Sequence, residues 1–213
     1  MDALKSLETL ELFNGLVSDL TSLTKLKRLQ HLSLEVTGYI KDFSFLGGLK
    51  PLRTLKLKDL TKFKDVGVLE VLPLLHTLWI SRGASWVSFP TLASFAKLKQ
   101  LRALHLGYDS KDGSLLPLAK LSNLKELSLP LSYALEEYAH LATALPEVEC
   151  SCFTKPYSVG ISIPKCKRCG GGTKVYLAKG MRSLCPKCDN DKFQAYLKSF
   201  EEMKAEFRRN PSR

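Results

Sequence analysis

The stretch Leu101-Arg-Ala-Leu104-His-Leu106 is one copy of the pattern Leu-x-x-Leu-x-Leu, and this pattern decides the fold of the chain. The six copies are Leu7-Leu10-Leu12, Leu29-Leu32-Leu34, Leu52-Leu55-Leu57, Leu75-Leu78-Ile80, Leu101-Leu104-Leu106 and Leu124-Leu127-Leu129, and a degenerate seventh is Leu145-Val148-Cys150. Successive copies begin 22, 23, 23, 26, 23 and 21 residues apart. A pattern that returns at nearly fixed spacing indicates a structural repeat.

Each copy predicts a short strand followed by an outer segment. The final Leu-x-Leu alternates inward and outward, as a strand with one buried face requires. Apolar residues then recur at every third position, as in Leu115, Leu118 and Leu121, which suits 3₁₀ turns or short helical pieces. One unit cannot bury its Leu side chains alone, so we expect stacked units to share a continuous core as a solenoid.

On these copies, residues 4–155 resemble the leucine-rich repeat family. The resemblance implies an α/β solenoid of about seven short repeats, with a parallel β-sheet on the concave face and 3₁₀ or short helices on the convex face. The family usually places Asn three residues after the last Leu, and no such ladder is present here. The residues at those positions are Gly15, Thr37, Leu60, Gly83, Asp109, Ser132 and Phe153. The family's exact curvature is therefore not transferred to this chain.

Composition bounds the remaining possibilities. The sequence contains no run of 18 apolar residues and no signal sequence at its start. We therefore expect that the protein is neither inserted into a membrane nor exported. Six Cys in such a chain favour reduced thiols and metal binding over disulfides, so we expect a cytoplasmic protein. Residues 1–155 carry 19 Lys/Arg against 16 Asp/Glu, a net of +3, whereas residues 156–213 carry 13 against 5, a net of +8.

The last part of the chain contains two Cys-x-x-Cys pairs. They are Cys166-Lys-Arg-Cys169 and Cys185-Pro-Lys-Cys188, with 15 residues between them. Pairs at this separation predict a tetrahedral Zn²⁺ site, with iron in a rubredoxin-like site as the minor alternative. All four ligands are Cys with no open position, so the site should be structural rather than catalytic. Cys150 and Cys152 are predicted to be small buried side chains.

The order of elements around these pairs resembles a treble-clef or zinc-ribbon finger. We expect a hairpin that turns at Lys179-Gly180 and a helix that begins near Asp189-Asn190-Asp191 and ends near Arg209. The predicted helix stripe is Phe193, Leu197, Phe200, Lys204 and Phe207. We expect residues 1–155 to form the repeat domain and residues 156–213 to form the zinc-finger module. The module has three possible roles: capping the repeats, binding nucleic acid or docking a partner.

The concave face is predicted to carry a binding site. Its centre holds Trp79 and His105, with Lys56 and Lys58 on one side and acidic residues such as Glu126 at the ends. Arg82 and Tyr108 are expected at the edge of this face, and Trp86 lies in the longer fourth repeat, where a loop contact is expected. Mixed charge around an aromatic centre suits a protein partner better than a phosphate backbone.

These features predict a non-enzymatic recognition protein, because the sequence shows neither a phosphate-binding Gly loop nor a nucleophile-elbow signature. A nuclease that shares the finger shape would need a His there, and all four His lie in the repeats. The chain resembles bacterial stand-alone leucine-rich repeat proteins, which implies a scaffold or an immunity protein that blocks a toxic effector. The alternative is an adaptor that binds nucleic acid through its basic tail. The sequence leaves the oligomeric state open.

Overall fold

The computed structural model describes residues 6–13, 17–35, 39–60, 62–81, 88–158 and 165–210. Six parallel strands form one sheet in chain order. They are β1 (Thr9–Phe13), β2 (His31–Glu35), β3 (Thr54–Lys58), β4 (Thr77–Ser81), β5 (Ala103–Leu106) and β6 (Glu126–Ser128). The predicted leucine-rich repeat solenoid is confirmed, because each of the first six copies of the Leu pattern supplies one strand.

The strand register aligns equivalent leucines of neighbouring repeats. Leu32 pairs with Leu55, which pairs in turn with Leu78, and the column continues through Leu104 to Leu127. All five side chains are buried. Each repeat therefore completes its core with the leucines of its neighbours, as a stacked array requires.

The outer wall is built from 3₁₀ helices, as the three-residue spacing predicts. They span Thr21–Lys25, Ser44–Gly48, Gly67–Leu69, Ala93–Lys97 and Leu116–Lys120. Before most of them, an Asp carboxylate accepts a hydrogen bond from the backbone N–H two residues later. The Asp65 carboxylate, for example, lies 2.9 Å from the N–H of Gly67, and this bond lowers the pKa of Asp65. This recurrent turn is a sequence signal that the Leu pattern alone does not contain.

The seventh repeat departs from the others. The segment that leads into it, which is the outer segment of the sixth repeat, is an α-helix, α1 (Leu135–Ala144), rather than a 3₁₀ helix. Leu145, Val148 and Cys150 are buried, but the strand is reduced to a single parallel bridge between Glu126 and Glu149. The chain then turns into the short helix α2 (Ser151–Thr154), where the described sheet ends.

The tail contains a two-stranded antiparallel sheet and a long helix. Strand β7 (Tyr157–Ser158) pairs with β8 (Tyr176–Leu177), and α3 spans Asn190–Arg209. The predicted hairpin is present, since Val175 bridges Leu184 and Gly180 has a φ of 83° at the turn. One apolar cluster runs through both the repeats and the tail, so the division at residues 155 and 156 stays a proposal.

No helix within the described residues is long and apolar enough to cross a membrane.

Candidate functional site

The centre of the concave face is a stacked pair of rings. Strands β4 and β5 place Trp79 and His105 side by side in register. Their ring centroids are 4.0 Å apart and the ring planes differ by 19°. Trp79 nevertheless remains 40% exposed. The stack holds a large aromatic surface in one orientation, and part of that surface remains exposed to solvent.

Charged side chains surround this pair. The Lys56 ammonium lies 6.0 Å from the centroid of the Trp79 ring, at the outer limit of a cation–π contact. On the other side, the Nε2 of His105 lies 3.2 Å from the Glu126 carboxylate. Lys58 forms an ion pair with Glu35 one strand away. Each of these groups is held by a neighbouring repeat, so the surface is largely pre-organised.

The structure brings five of the eight predicted contact residues together on this face: Trp79, His105, Lys56, Lys58 and Glu126. The expectation that Tyr108 lies exposed at the edge is wrong, because its side chain is only 4% exposed. Leu104, Leu106 and Tyr108 point inward on the same alternation, and the Tyr108 ring packs edge-to-face on Phe89 with centroids 6.0 Å apart. Arg82 and Trp86 lie outside the described residues.

The four predicted metal ligands form a second site. The Sγ atoms of Cys166, Cys169, Cys185 and Cys188 all lie within 4.8 Å of one another. The Cys166–Cys188 and Cys169–Cys185 pairs are each separated by 3.7 Å. A tetrahedron with Zn–S bonds of about 2.3 Å has edges of about 3.8 Å, so these two pairs already have the spacing that a single ion requires.

The first cysteine pair is shaped by the glycines that follow it. Gly170 and Gly171 have φ angles of 67° and 135°, which other residues rarely adopt. This path lets the Gly172 carbonyl accept a hydrogen bond from the N–H of Cys166 at 2.8 Å. A Cβ on Gly172 would lie 2.6 Å from the Sγ of Cys169. The backbone therefore approaches the sulfurs too closely for any side chain at this position.

Asp189 joins the two cysteine pairs. One carboxylate oxygen accepts from Arg168 at 2.5 Å and the other accepts from the N–H of Cys185 at 3.1 Å. These two bonds, the one from Arg168 being the stronger, lower the pKa of Asp189. The residue was predicted only as part of a helix start. Its second role depends on a contact with Arg168, 21 residues earlier in the chain.

The thiols have unequal proton affinities. Hydrogen bonding from the Cys169 backbone lowers the pKa of Cys166 to about 6, whereas burial raises the pKa of Cys188 to about 12. Four negative sulfurs at this spacing repel one another unless a cation neutralises them. The cluster is thus able to bind a metal ion and offers four ligands without an open position, which suits structural binding.

The tail rests against the last repeat. Phe207 in α3 stacks on His140 in α1, with ring centroids 4.4 Å apart and planes 10° apart. The side chain of Lys204, which the sequence places within the apolar stripe, donates from Nζ to the Phe153 carbonyl at 3.3 Å. Its ammonium also lies 5.1 Å from the centroid of the Phe200 ring.

Buried polar bonds fix the tail at a second place. The hydroxyl of Tyr196 donates to the Pro156 carbonyl and accepts from the N–H of Ala178 at 3.2 Å. The N–H of Lys179 donates to the Tyr133 carbonyl at 2.8 Å. The long helix and the hairpin are therefore both attached to the C-terminal end of the solenoid.

Three solved structures are similar to this chain. An internalin from Listeria monocytogenes is 21% identical, with a TM-score of 0.48 over 70% of this chain and 48% of its own. An internalin C2 from the same organism is 26% identical, with a TM-score of 0.39 over 56% of this chain and 61% of its own. A leucine-rich repeat protein from Leptospira interrogans is 22% identical, with a TM-score of 0.40 over 68% of this chain and 42% of its own. This chain spans less than two thirds of the length of each.

No protein-family model matches the chain, and no curated protein matches it. The class of protein follows from the chain's own architecture, with one parallel strand for each of the first six Leu copies and 3₁₀ helices on the convex side. It is a leucine-rich repeat solenoid followed by a four-cysteine module.

Proposed function

We propose that this protein is a non-enzymatic recognition module that binds a protein partner on its concave face. The observation that carries the proposal is the exposed Trp79 ring, held in place by its stack on His105. Tryptophan is among the residues that most often dominate binding energy at protein interfaces. A ring that is already fixed loses little conformational entropy when a partner covers it.

The charges around Trp79 favour a protein partner. Lys56 and Lys58 lie to one side, and Glu126 lies to the other beyond His105. Carboxylates in the same surface would repel a continuous phosphate backbone, whereas a protein can present both signs of charge. We therefore expect a partner with an apolar or aromatic group at its centre and both acidic and basic groups around it.

The contacts of His105 favour recognition over catalysis. Ser128 is in register with His105, so a hydroxyl, an imidazole and the Glu126 carboxylate lie on adjacent strands. Among the described contacts, however, no hydrogen bond joins Ser128 to His105. A serine needs such a base to become a nucleophile. His105 instead supports the Trp79 ring.

The test is a pull-down from native cell extract with a tagged full-length chain, followed by measurement of the affinity for the recovered protein. We expect Trp79→Ala to weaken binding by about 2 kcal/mol or more, roughly thirtyfold in Kd. Tyr176→Ala is the matched control, since Tyr176 is an aromatic residue of the tail that is 48% exposed. Equal binding by wild type and Trp79→Ala would contradict the proposed anchor.

A specific form of this function is an immunity protein or inhibitor that covers the active site of a toxic effector. The rigid concave surface suits it, because pre-organised surfaces bind tightly without a change of shape. We expect the recovered partner to have an activity that the wild-type chain abolishes and Trp79→Ala does not. If the activity of the partner were unchanged in the complex, the inhibitor role would be contradicted and the scaffold role supported.

We also propose that the cysteine cluster binds Zn²⁺ as a structural ion. The 3.7 Å sulfur separations and the four-cysteine ligand set support this assignment. Elemental analysis of the purified protein should find one zinc per chain. Iron with visible absorption would instead identify a rubredoxin-like site. None of the six cysteines forms a disulfide, as we expect for a protein in a reducing, cytoplasmic environment.

The second candidate function is a nucleic-acid-binding adaptor that uses the tail. Its net charge of +8 and the exposed ring of Tyr176 favour this alternative. Lys167→Glu with Lys187→Glu tests it without breaking the ion pair between Arg168 and Asp189. Steeply salt-dependent binding that this pair abolishes would support the adaptor.

A further inference from the structure

A row of polar residues, three of them cationic, follows one edge of the solenoid. It consists of the residue directly before each of the strands β2 to β6, and we call it the edge row: Gln30, Arg53, His76, Arg102 and Lys125. The corresponding residue before β1 is Glu8, which lies outside the groove described below. The backbone N–H of each member from Arg53 onward donates to the carbonyl of the previous member, at 2.7 to 3.0 Å. The row therefore advances by one strand spacing per repeat, about 4.8 Å.

The two arginines of the edge row have no acidic partner among the described residues. Arg53 donates from Nε to the side-chain oxygen of Gln30 at 3.0 Å, which orients its guanidinium and leaves the terminal nitrogens available. His76 lies between Arg53 and Arg102. Its pKa is lowered, first by burial and then by the positive charges of Arg53 and Arg102. The imidazole thus stays neutral between two uncompensated cations.

The same residues line an open groove of about 400 Å³. Arg53, His76 and Arg102 form one side of it, and Pro73 and Leu74 also contact it. Leu74 is 43% exposed, which is unusual for a leucine of this chain. The groove therefore combines two guanidinium groups with an imidazole and a small apolar wall.

We propose that this groove binds single-stranded nucleic acid, with phosphates on Arg53 and Arg102 and an unpaired base against Leu74 and His76. Guanidinium groups bind phosphate through two parallel hydrogen bonds. Arg53 and Arg102 lie two repeats apart, about 10 Å, and two guanidinium groups along one groove suit a polymer that carries several negative charges. Aromatic and apolar side chains next to such charges accept bases without sequence preference. The net charge of +11 on the chain would favour encounter with a polyanion.

This proposal is independent of the concave-face function. The edge row precedes the strands, whereas Trp79 and its neighbours lie within them. A protein on the concave face and a nucleic acid on the edge use different side chains. A negative result at one of the two sites therefore does not count against the other.

The experiment measures fluorescence anisotropy of a labelled single-stranded RNA of about 12 nucleotides titrated with the full-length protein at several salt concentrations. Arg53→Glu with Arg102→Glu is the test variant. Lys62→Glu with Lys64→Glu is the matched control, because both lysines are exposed in the repeats and the charge change is the same. Lys167→Glu with Lys187→Glu makes the same charge change in the tail.

We expect the test variant to lose at least about tenfold in affinity and the salt slope to fall by about 1.4, for two lost phosphate contacts on a single strand. The matched control should lose no more than about threefold, through net charge alone. Arg53→Gln with Arg102→Gln should show most of the loss, and circular dichroism would verify that both variants are folded.

Three results would overturn the proposal. Equal losses in all three charge-reversed variants would mean that only net charge matters, and a larger loss in the tail variant would place the binding there. Competition by an acidic peptide as strong as that by unlabelled RNA would identify a site for carboxylates instead. Inorganic phosphate and duplex RNA should compete weakly, because neither provides an unpaired base on a strand.

Discussion

In the repeats, leucines from adjacent strands fill a common core, whereas in the tail four cysteines occupy the equivalent central position. The column from Leu32 to Leu127 needs only copies of one short pattern. The tail strands contain two residues each, and the apolar side chains of the tail join the core of the repeats rather than form a separate one. So small a unit buries too little apolar surface to fold by that means alone. The tail combines a metal-binding cluster with attachment to the solenoid.

Metal removal should destabilise the tail far more than the repeats, and this is the largest difference that we expect between the two regions. Cys185→Ser, or treatment with a strong chelator, should unfold the tail, because structural zinc sites contribute about 10 kcal/mol or more to folding. The strands β1 to β5 lie away from the tail and should persist. Hydrogen exchange read by mass spectrometry would separate the two regions. A tail that remains protected from hydrogen exchange without metal would show that its contacts with the last repeat are enough to keep it folded.

Truncation of a core leucine should have the opposite effect: it should destabilise the repeats and leave the metal site of the tail intact. Leu104→Ala removes a fully buried side chain and should lower the free energy of unfolding of the repeats by about 2–5 kcal/mol. The metal content should remain at the wild-type value. Leu116→Ala is the control, since Leu116 is 40% exposed and its truncation should cost about 0.5 kcal/mol or less. Urea denaturation with metal analysis would measure both effects.

Two glycine substitutions distinguish crowding at the sulfurs from backbone strain. Gly172→Ala would place a Cβ 2.6 Å from the Sγ of Cys169, so we expect metal affinity to fall at least about tenfold. At Gly113 no atom lies within 4 Å of an added Cβ, but the backbone φ is 70°. Gly113→Ala should therefore cost about 1 kcal/mol of stability through backbone strain alone. Its metal affinity should not change. Competition with a colorimetric chelator would measure both variants.

The contact between the two regions can be weakened at Lys204. Lys204→Met would leave the Phe153 carbonyl without its partner, and we expect a loss of about 1–2 kcal/mol. Lys198→Met, on the same helix, is the control because that side chain is 77% exposed and its ion pair with Glu202 contributes little. Thermal unfolding would compare the two. Equal melting temperatures for the two variants would show that Lys204 does not stabilise the contact between the tail and the repeats.

The smallest expected effect concerns the outer turns of the repeats. The pKa of Asp65 is lowered in the folded protein, so its carboxylate stabilises the fold above the ordinary value of 3.8, and this stability is lost as the pH falls through the folded pKa. Asp65→Asn should cost about 0.5–1 kcal/mol at pH 7 and almost nothing near pH 2. Denaturation at the two pH values would measure the difference. A cost that is independent of pH would contradict the ionic origin.

The sequence predicts features that arise from local spacing. The Leu copies define each strand, the three-residue rhythm defines the outer wall, and the two cysteine pairs define the cluster. The change to an α-helix in the outer segment of the sixth repeat could not be predicted from the spacing, since Leu135, Tyr138 and Leu141 keep the same spacing of three. The helix forms there under the cover of α3.

Long-range contacts account for the features that the sequence does not reveal. Lys204 reads as an interruption of an apolar stripe until its bond to Phe153, 51 residues earlier, is known. Tyr196 was absent from the predicted stripe, yet its hydroxyl bonds to Pro156, 40 residues earlier. Tyr108 was predicted as a contact residue because it follows the strand, but its inward position continues the alternation of Leu104 and Leu106. Asp189 likewise shows its role only once Arg168 lies beside it.

The attachment of α3 to α1 also limits how the length of this array can change. A repeat added after α1 would separate His140 from Phe207 and leave both without their stacking partner. A repeat inserted earlier would keep that end intact and lengthen the sheet by about 4.8 Å. Insertion between β4 and β5 would part Trp79 from His105, whereas insertion before β3 would leave Lys56, Trp79 and His105 as neighbours. Before β3, the molecule can therefore vary in size while Lys56, the aromatic stack and the tail contact all keep their present neighbours.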